Sequence, residues 1–136
     1  EVVWNVELGR NLSAAAIISA HAARTRLEHA SQRFFDRYDA FLSPATQVLP
    51  FDASWRWPHE IAGTQAETYL DWMRSACLLS ATSLPVLAMP GGFTEAGLPV
   101  GWQLAANHHR DVDLLNWAAA YEQATGFAAR TPGILA

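Results

Sequence analysis

Apolar residues in the first third of the chain recur at three- and four-residue steps, which is the spacing of one helix face. Ser13 can cap the start of this helix, and the pattern predicts its end near Arg37. Residues 1–12 show no such repeat and are predicted to form a loop. The stripe consists of Ile17, Ala20, Ala23, Leu27, Ala30, Phe34 and Tyr38.

Three short apolar runs, each bounded by proline or glycine, predict strands at residues 38–42, 86–89 and 100–105. The second run is uninterrupted, which is typical of a strand covered on both faces. Residues 94–97 are predicted to form a turn between the second strand and the third. Pro90 and Pro99 are placed at strand ends, where a missing N–H removes no interior ladder bond.

Two further helices are predicted after the first strand. Thr64 and Glu67 have the spacing of a capping box, and the helix they open should stop before Pro85. Asp111 can cap the last helix, and Gly126 stands where a left-handed C-terminal cap is expected. Residues 46–63 form a long irregular segment of the kind that is usually functional, disordered or wrapped on a partner. A loose tail is predicted from Thr131.

The order of elements is helix, strand, loop, helix, strand, strand, helix. This order predicts the α/β class, with a mixed sheet of three strands layered between helices. Three strands alone cover little of such long helices, so a larger sheet is expected. We treat residues 1–136 as a single domain that forms part of it.

The composition limits the possible functions. Hydrophobic residues make up 51% and charged residues 16%, whereas roughly a quarter charged is usual for a free-standing domain. Part of the surface is therefore expected to pack against something outside the chain. The net charge of −4 argues against a nucleic-acid partner, and no apolar run approaches the roughly 18 residues of a membrane span. With Cys77 as the only cysteine, a reducing, cytoplasmic compartment is indicated.

The chain offers little chemistry of its own. No serine lies in a Gly-Ser-Ser-Gly or Gly-x-Ser-x-Gly segment, so no self-contained nucleophile is predicted. His108 and His109 would point to opposite faces of a strand, so no metal site is predicted. No cofactor is indicated either. Cys77 has apolar neighbours and is interpreted as a buried, inert thiol rather than a nucleophile.

One aromatic group leaves two interpretations open. Trp55 and Trp57 lie in the long irregular segment, and Tyr69 and Trp72 lie on the helix that follows. These side chains could line an apolar cleft. They could equally form an ordinary lid over the hydrophobic core.

The segment GLPVGWQ (97–103), which follows PGGFT (90–94) and leads into DLLNWAAAYEQATGF (113–127), is specific. It resembles the C-terminal end of the amidase-signature enzymes, the family that includes the A subunit of the glutamyl-tRNA amidotransferases. The resemblance covers nearly the whole chain. At 81–83 the chain has Ala-Thr-Ser, where many relatives have an Asn-x-Thr-Gly-like stretch. The other matching segments are NVE-x-G (5–9), RYD (37–39), SPAT (43–46), YLDWMR (69–74), LPV (84–86) and AYEQA (120–124).

The resemblance implies the cleavage or transfer of carboxylic amides by a Ser–cis-Ser–Lys triad. In the family the lysine helps to deprotonate the bridging serine, which activates the nucleophilic serine, and backbone N–H groups hold the oxyanion. The signature segment and its lysine lie upstream of the portion seen in this chain. This chain contains no lysine at all, so it cannot carry the triad and no catalytic residue is predicted in it.

The resemblance therefore implies a C-terminal fragment of the larger amidase-signature α/β/α fold. In the family this part completes the sheet and contributes walls of the acyl pocket, which act through shape and apolar contact rather than proton transfer. The candidates for substrate binding here are Thr46, Gln47, Trp55, Trp57, Trp72, Met73 and Cys77.

Two hypotheses follow. In the first, the chain is the C-terminal portion of an amidase and is inactive alone. Its partner is the missing N-terminal portion, and the full enzyme binds a small-molecule amide. The second is a stand-alone structural or interaction module without chemistry, which could form a homodimer. An exposed apolar face is expected where the sheet would continue. Either the missing portion or a second copy would cover it.

Overall fold

The computed structural model describes residues 2–131. Glu1 and residues 132–136, which include most of the predicted tail, lie outside the described residues. The helices are α1 Val2–Arg10, α2 Ala14–Phe35, α3 Tyr69–Trp72, α4 Arg74–Ser80 and α5 Asp111–Thr125. The strands are β1 Ala40–Pro44, β2 Glu60–Ile61, β3 Thr64–Gln65, β4 Val86–Phe93 and β5 Pro99–Ala106, and a 3₁₀ turn covers Phe127–Ala129.

The long helix α2 forms as its apolar stripe predicts. The Ser13 hydroxyl oxygen accepts a 3.1 Å hydrogen bond from the Ala16 N–H, which confirms the predicted cap. The helix ends at Phe35, two residues before the predicted end. No side chain of α2 is buried, so its apolar stripe is largely uncovered in this chain.

The first twelve residues are not the predicted loop, because Val2–Arg10 forms helix α1. The β-branched valines there have low helix propensity, and local side-chain bonds offset it. Arg10 forms a 2.7 Å ion pair with Glu7 one turn earlier. The Asn11 side-chain amide donates a 3.0 Å hydrogen bond to the Glu7 carbonyl oxygen, which satisfies a free group at the helix end.

Three antiparallel strands form the main sheet in the order β1-β5-β4, as the sequence predicts in number and place. Leu104 at the centre pairs with Leu42 on one side and with Leu87 on the other. The prediction that Pro90 ends its strand is wrong. Pro90 pairs with Gly101 inside β4, and a bulge follows it at Gly91, which has no register partner on β5. Because β4 is an edge strand, it tolerates a residue without an N–H.

Helix α5 covers one face of this sheet. Met89, Leu104, Ala106 and Leu114 form the buried cluster there. The prediction that Asp111 caps α5 is wrong, because the cap position is Arg110 and Asp111 is the first helical residue. There its negative charge suits the positive end of the helix dipole. Gly126 ends the helix at φ 63° with its N–H bonded to the Glu122 carbonyl, which confirms the predicted left-handed cap.

The capping box predicted at Thr64 is also wrong. Thr64 belongs to the small strand β3, which pairs with β2 across a tight turn at Ala62 and Gly63. The helix instead begins after Thr68. The Asp71 carboxylate accepts hydrogen bonds from the Thr68 N–H at 2.7 Å and from the Thr68 hydroxyl at 3.0 Å. The same type of pattern is therefore used four residues later.

The surface is large for a chain of this size. The accessible area is 9901 Å², whereas a folded monomer of 14.9 kDa is expected to expose roughly 7000 Å². Much of the excess is apolar: Ile18 is 68% exposed, Leu78 59% and Leu42 46%. Exposed apolar surface is therefore present, and its placement where the sheet would continue stays a prediction.

Candidate functional site

An apolar cleft of about 650 Å³ opens between the segment that follows β1, the start of β5 and helix α3. The cleft is bordered by Thr46 and Gln47, by the apolar run that follows them, and by Trp72. Among residues that the sequence did not single out, its lining includes Val48, Leu49, Pro50, Phe51, Val100 and Gly101.

The segment after β1 is fixed to the first turn of α4. The Ser75 N–H donates a 3.1 Å hydrogen bond to Gln47 Oε1, and the Ser75 hydroxyl donates a 3.3 Å bond to the Ala45 carbonyl. The Thr46 hydroxyl donates to the Val48 carbonyl at 2.8 Å. The Gln47 side chain thus satisfies one of the free N–H groups at a helix start. These bonds connect the border of the cleft to helix α4.

Aromatic rings form one wall of the cleft. Phe51 makes an edge-to-face contact with Trp72 at 5.6 Å between ring centroids, and it stacks on Trp55 at 6.2 Å. Trp55 does not border the cleft itself, and about half of its surface is exposed. The Trp72 indole N–H is buried and has no hydrogen-bond acceptor among residues 2–131. Such unpaired buried donors are uncommon in complete folds.

Trp57 lies apart from this wall. It borders a smaller cavity of about 250 Å³ together with Trp4 and Tyr69, and the Arg56 guanidinium stands 5.4 Å above its ring. The four aromatic residues that the sequence groups together are therefore divided between two places. Trp72 borders the cleft and Trp55 stacks on the cleft residue Phe51, while Trp57 and Tyr69 border the second cavity.

Met73 and Cys77 do not border the cleft. Met73 is half-buried at the junction between α3 and α4. The prediction of a buried thiol at Cys77 is wrong, because this side chain is exposed. Helix α4 has only two turns, and no residue of 2–131 covers the Cys77 side chain.

The sequence contains a signal for two cleft residues that it does not predict as site residues. Phe51 was visible as part of the aromatic-rich segment. Gly101 was visible in the segment that carries the family resemblance. A Cβ atom at Gly101 would lie 3.3 Å from the Met89 carbonyl oxygen and 3.5 Å from Ala45 Cβ, so a side chain here would press on β4 unless that strand shifted slightly.

The cleft is uncharged, because no ionisable side chain borders it. The nearest carboxylate along the chain is Asp52, and hydrogen bonds from Ser54 hold its pKa below the ordinary value. Asp52 therefore stays ionised at neutral pH and is poorly suited to accept a proton. Within residues 2–131, no group of three or more His, Cys, Asp or Glu side chains could hold a metal ion. The arrangement can bind and orient a ligand, and it lacks the groups for covalent catalysis.

The chain thus combines a three-stranded sheet, covered on one face by α5, with an uncharged cleft beside it. The amidase family model matches residues 1–115, and the chain belongs to this family, the amidase-signature enzymes. The prediction made from the sequence is confirmed.

Individual relatives agree. The chain is 34% identical over 120 residues to the glutamyl-tRNA(Gln) amidotransferase A subunit of Synechococcus sp., in an alignment that covers 88% of this chain and 24% of the relative. It is 33% identical over 100 residues to an acylamidase of Rhodococcus erythropolis, covering 73% of this chain and 21% of the relative.

Solved structures show the same fold. A bacterial aryl acylamidase of the amidase-signature family superposes with a TM-score of 0.80 at 23% identity, covering 91% of this chain and 26% of that one. The 6-aminohexanoate cyclic dimer hydrolase gives a TM-score of 0.80 at 20% identity, covering 98% and 29%. The predicted fold class is confirmed. The chain spans about a quarter of the length of these relatives. No helix in the described part is long and apolar enough to cross a membrane.

Proposed function

We propose that this chain is the C-terminal segment of an enzyme that hydrolyses carboxylic amides, and that a preceding segment supplies the catalytic triad. The observation that carries the proposal is an uncharged cleft in an amidase-family segment whose sequence contains no lysine. A chain that can form a pocket wall without the reactive groups is suited to bind the substrate of a reaction that another segment performs.

In such an enzyme, the preceding segment would provide the serine nucleophile, the bridging serine, the lysine and the oxyanion site. This chain would provide three strands of the sheet and one wall of the substrate pocket. Its contribution to the rate would be binding energy and orientation of the amide. A wall fixed by Ser75 to the α4 helix start supports this role, because a rigid wall loses little entropy when the substrate binds.

Within the cleft, Thr46, Gln47 and Trp72 would contact the substrate directly. Trp55 would act through Phe51, whose ring it stacks on. For Trp57, Met73 and Cys77, which lie away from this cleft, a role in the pocket stays a prediction from the family resemblance.

The chemistry of the cleft favours an apolar or aryl amide. The relatives' names include both an aryl acylamidase and a glutamyl-tRNA amidotransferase. A glutamyl group carries charges that prefer a charged partner or water. The cleft has no charged side chain and has a wall of aromatic rings, so aryl amides are the better match.

The partner would be the missing N-terminal portion of the same enzyme. The exposed area of 9901 Å² is well above the roughly 7000 Å² expected of a monomer of this mass, and an excess of this size suits a permanent rather than a transient interface. The single cysteine, exposed and free, suits a reducing cytoplasmic location.

The test is to express the chain alone and together with the polypeptide encoded upstream of Glu1, using 4-nitroacetanilide as the substrate. We expect no turnover from the chain alone and 4-nitroaniline release from the complex, lost when the partner's nucleophilic serine becomes alanine. Turnover by the pure chain would contradict the placement of the triad. A stable homodimer that binds no upstream polypeptide would favour the stand-alone module.

A further inference from the structure

We propose that Gln47 determines substrate specificity by presenting its side-chain N–H₂ group to a hydrogen-bond acceptor on the bound molecule. The inference rests on the proposed function, because it assigns the ligand class of the same cleft. The ligand would be an aromatic or apolar amide that carries an acceptor, such as a carbonyl oxygen, where it meets Gln47.

The hydrogen bond from Ser75 fixes which end of the Gln47 amide faces the ligand. The Ser75 N–H can donate only to an acceptor, so the atom 3.1 Å away is Oε1 and not Nε2. Nε2 must then point elsewhere, and it makes no hydrogen bond to any residue of 2–131. Gln47 is exposed and borders the cleft, so this free donor is available to a bound molecule.

No other side chain of the lining offers an exposed N–H donor. The Thr46 hydroxyl already donates its hydrogen to the Val48 carbonyl. The Trp72 N–H is an additional donor, but it is buried and out of reach of a ligand without movement. Among the side chains that border the cleft, Gln47 therefore supplies the accessible N–H donor. A donor beside apolar walls gives modest discrimination, because a ligand that displaces its water without offering an acceptor leaves it unpaired.

The substitution Gln47→Glu tests this with the fold kept intact. The carboxylate retains the oxygen that accepts from Ser75, and it replaces the free donor with an acceptor of nearly the same shape. Gln123→Glu, at an exposed position of α5, is the control with the same change in charge. Protection of the Ser75 N–H from hydrogen exchange in both variants would show that the helix start is unchanged.

The probes are three small aromatic molecules that differ in the group on the ring. Acetophenone offers a hydrogen-bond acceptor, benzamidine offers hydrogen-bond donors, and α-methylstyrene offers neither an acceptor nor a donor. Binding is followed by NMR on the labelled chain, including the Gln47 side-chain N–H₂ signals. For the unmodified chain we expect acetophenone to bind about fivefold to tenfold more tightly than α-methylstyrene, which corresponds to one neutral hydrogen bond. Gln47→Glu should abolish this preference and favour benzamidine, while Gln123→Glu should behave as the unmodified chain.

Equal affinity for acetophenone and α-methylstyrene would overturn the role of Gln47. So would the absence of probe binding at the cleft, or its loss when the upstream polypeptide is co-expressed. None of these outcomes bears on whether the complex hydrolyses 4-nitroacetanilide, so the two proposals fail separately.

Discussion

The Tyr121 hydroxyl donates a 3.0 Å hydrogen bond to the carbonyl oxygen of Pro90, which joins α5 to β4 immediately before the bulge. This hydroxyl gives the Pro90 carbonyl a hydrogen-bond partner from outside the sheet. The Tyr121 ring also contacts Trp102 at 5.2 Å. One side chain therefore fixes both the position of α5 on the sheet and the irregular end of β4.

Replacing Tyr121 with phenylalanine should lower the free energy of unfolding by roughly 1 kcal/mol, because it removes the hydrogen bond and keeps the ring contact. Urea denaturation followed by tryptophan fluorescence measures the change. Tyr38→Phe is the matched control, since the Tyr38 ring is half exposed and stacks on Phe34. Equal stability of the two variants would contradict the role given to the Pro90 carbonyl.

The sequence predicted the elements whose signals are long or specific. Helix α2 has a sustained apolar repeat, and Ser13 and Gly126 are residues that helix ends require. The sheet strands follow from apolar runs between turns. Helix α1 and the pair β2–β3 could not be predicted, because α1 depends on a few local side-chain bonds and β2 and β3 have only two residues each.

The cleft was predictable only in part. Thr46 and Gln47 follow a recognisable strand, and Trp72 lies in a segment that resembles the family. The separation of Trp57 from Trp55 depends on how the irregular segment turns, which no periodicity records. The hydrogen bond between Gln47 and Ser75 joins residues 28 positions apart, and such a contact becomes visible only when the chain is folded.

Gln103 should be the most sensitive polar residue of the sheet. Its side chain is buried in the middle of β5, and its N–H₂ group donates to the Pro44 carbonyl at 3.1 Å and lies 3.5 Å from the Ser43 hydroxyl. Gln103→Leu should cost about 1–3 kcal/mol in the free energy of unfolding, because the Pro44 carbonyl loses its donor.

Gln103→Glu sharpens that experiment, since it places a carboxylate oxygen against the Pro44 carbonyl and should destabilise the fold further than leucine does. Gln123→Leu, at an exposed site, is the control for the first substitution. Chemical denaturation at pH 7 measures all three. A Gln103→Glu variant as stable as the unmodified chain would show that this amide is not needed to join β1 to β5.

The turn between β2 and β3 should become more stable when Ala62 is replaced with glycine. Ala62 has φ 50°, a left-handed conformation that costs residues with a Cβ roughly 1–2 kcal/mol. The expected gain is about 1 kcal/mol, seen as a roughly fivefold slower hydrogen exchange of the Ala66 N–H, which bonds to the His59 carbonyl at 2.8 Å. Ala96→Gly, in a turn position without positive φ, should bring no gain. Faster exchange of the Ala66 N–H in Ala62→Gly would show that the backbone at Ala62 is not strained.

The start of α3 should lose stability in acid through Asp71. Hydrogen bonds from the Thr68 N–H and then from its hydroxyl hold the pKa of the Asp71 carboxyl below its ordinary value. A carboxylate whose pKa is lower in the folded chain stabilises the fold fully above its unfolded pKa, and this contribution disappears as the pH falls through the lowered value. Asp71→Asn should therefore be less stable than the unmodified chain at pH 7, with the difference shrinking in acid.

Chemical denaturation between pH 2 and pH 7 measures this difference in the free energy of unfolding, with Glu95→Gln in an exposed turn as the charge-matched control. A difference that stays constant across this range would mean that the Asp71 charge does not contribute to the cap.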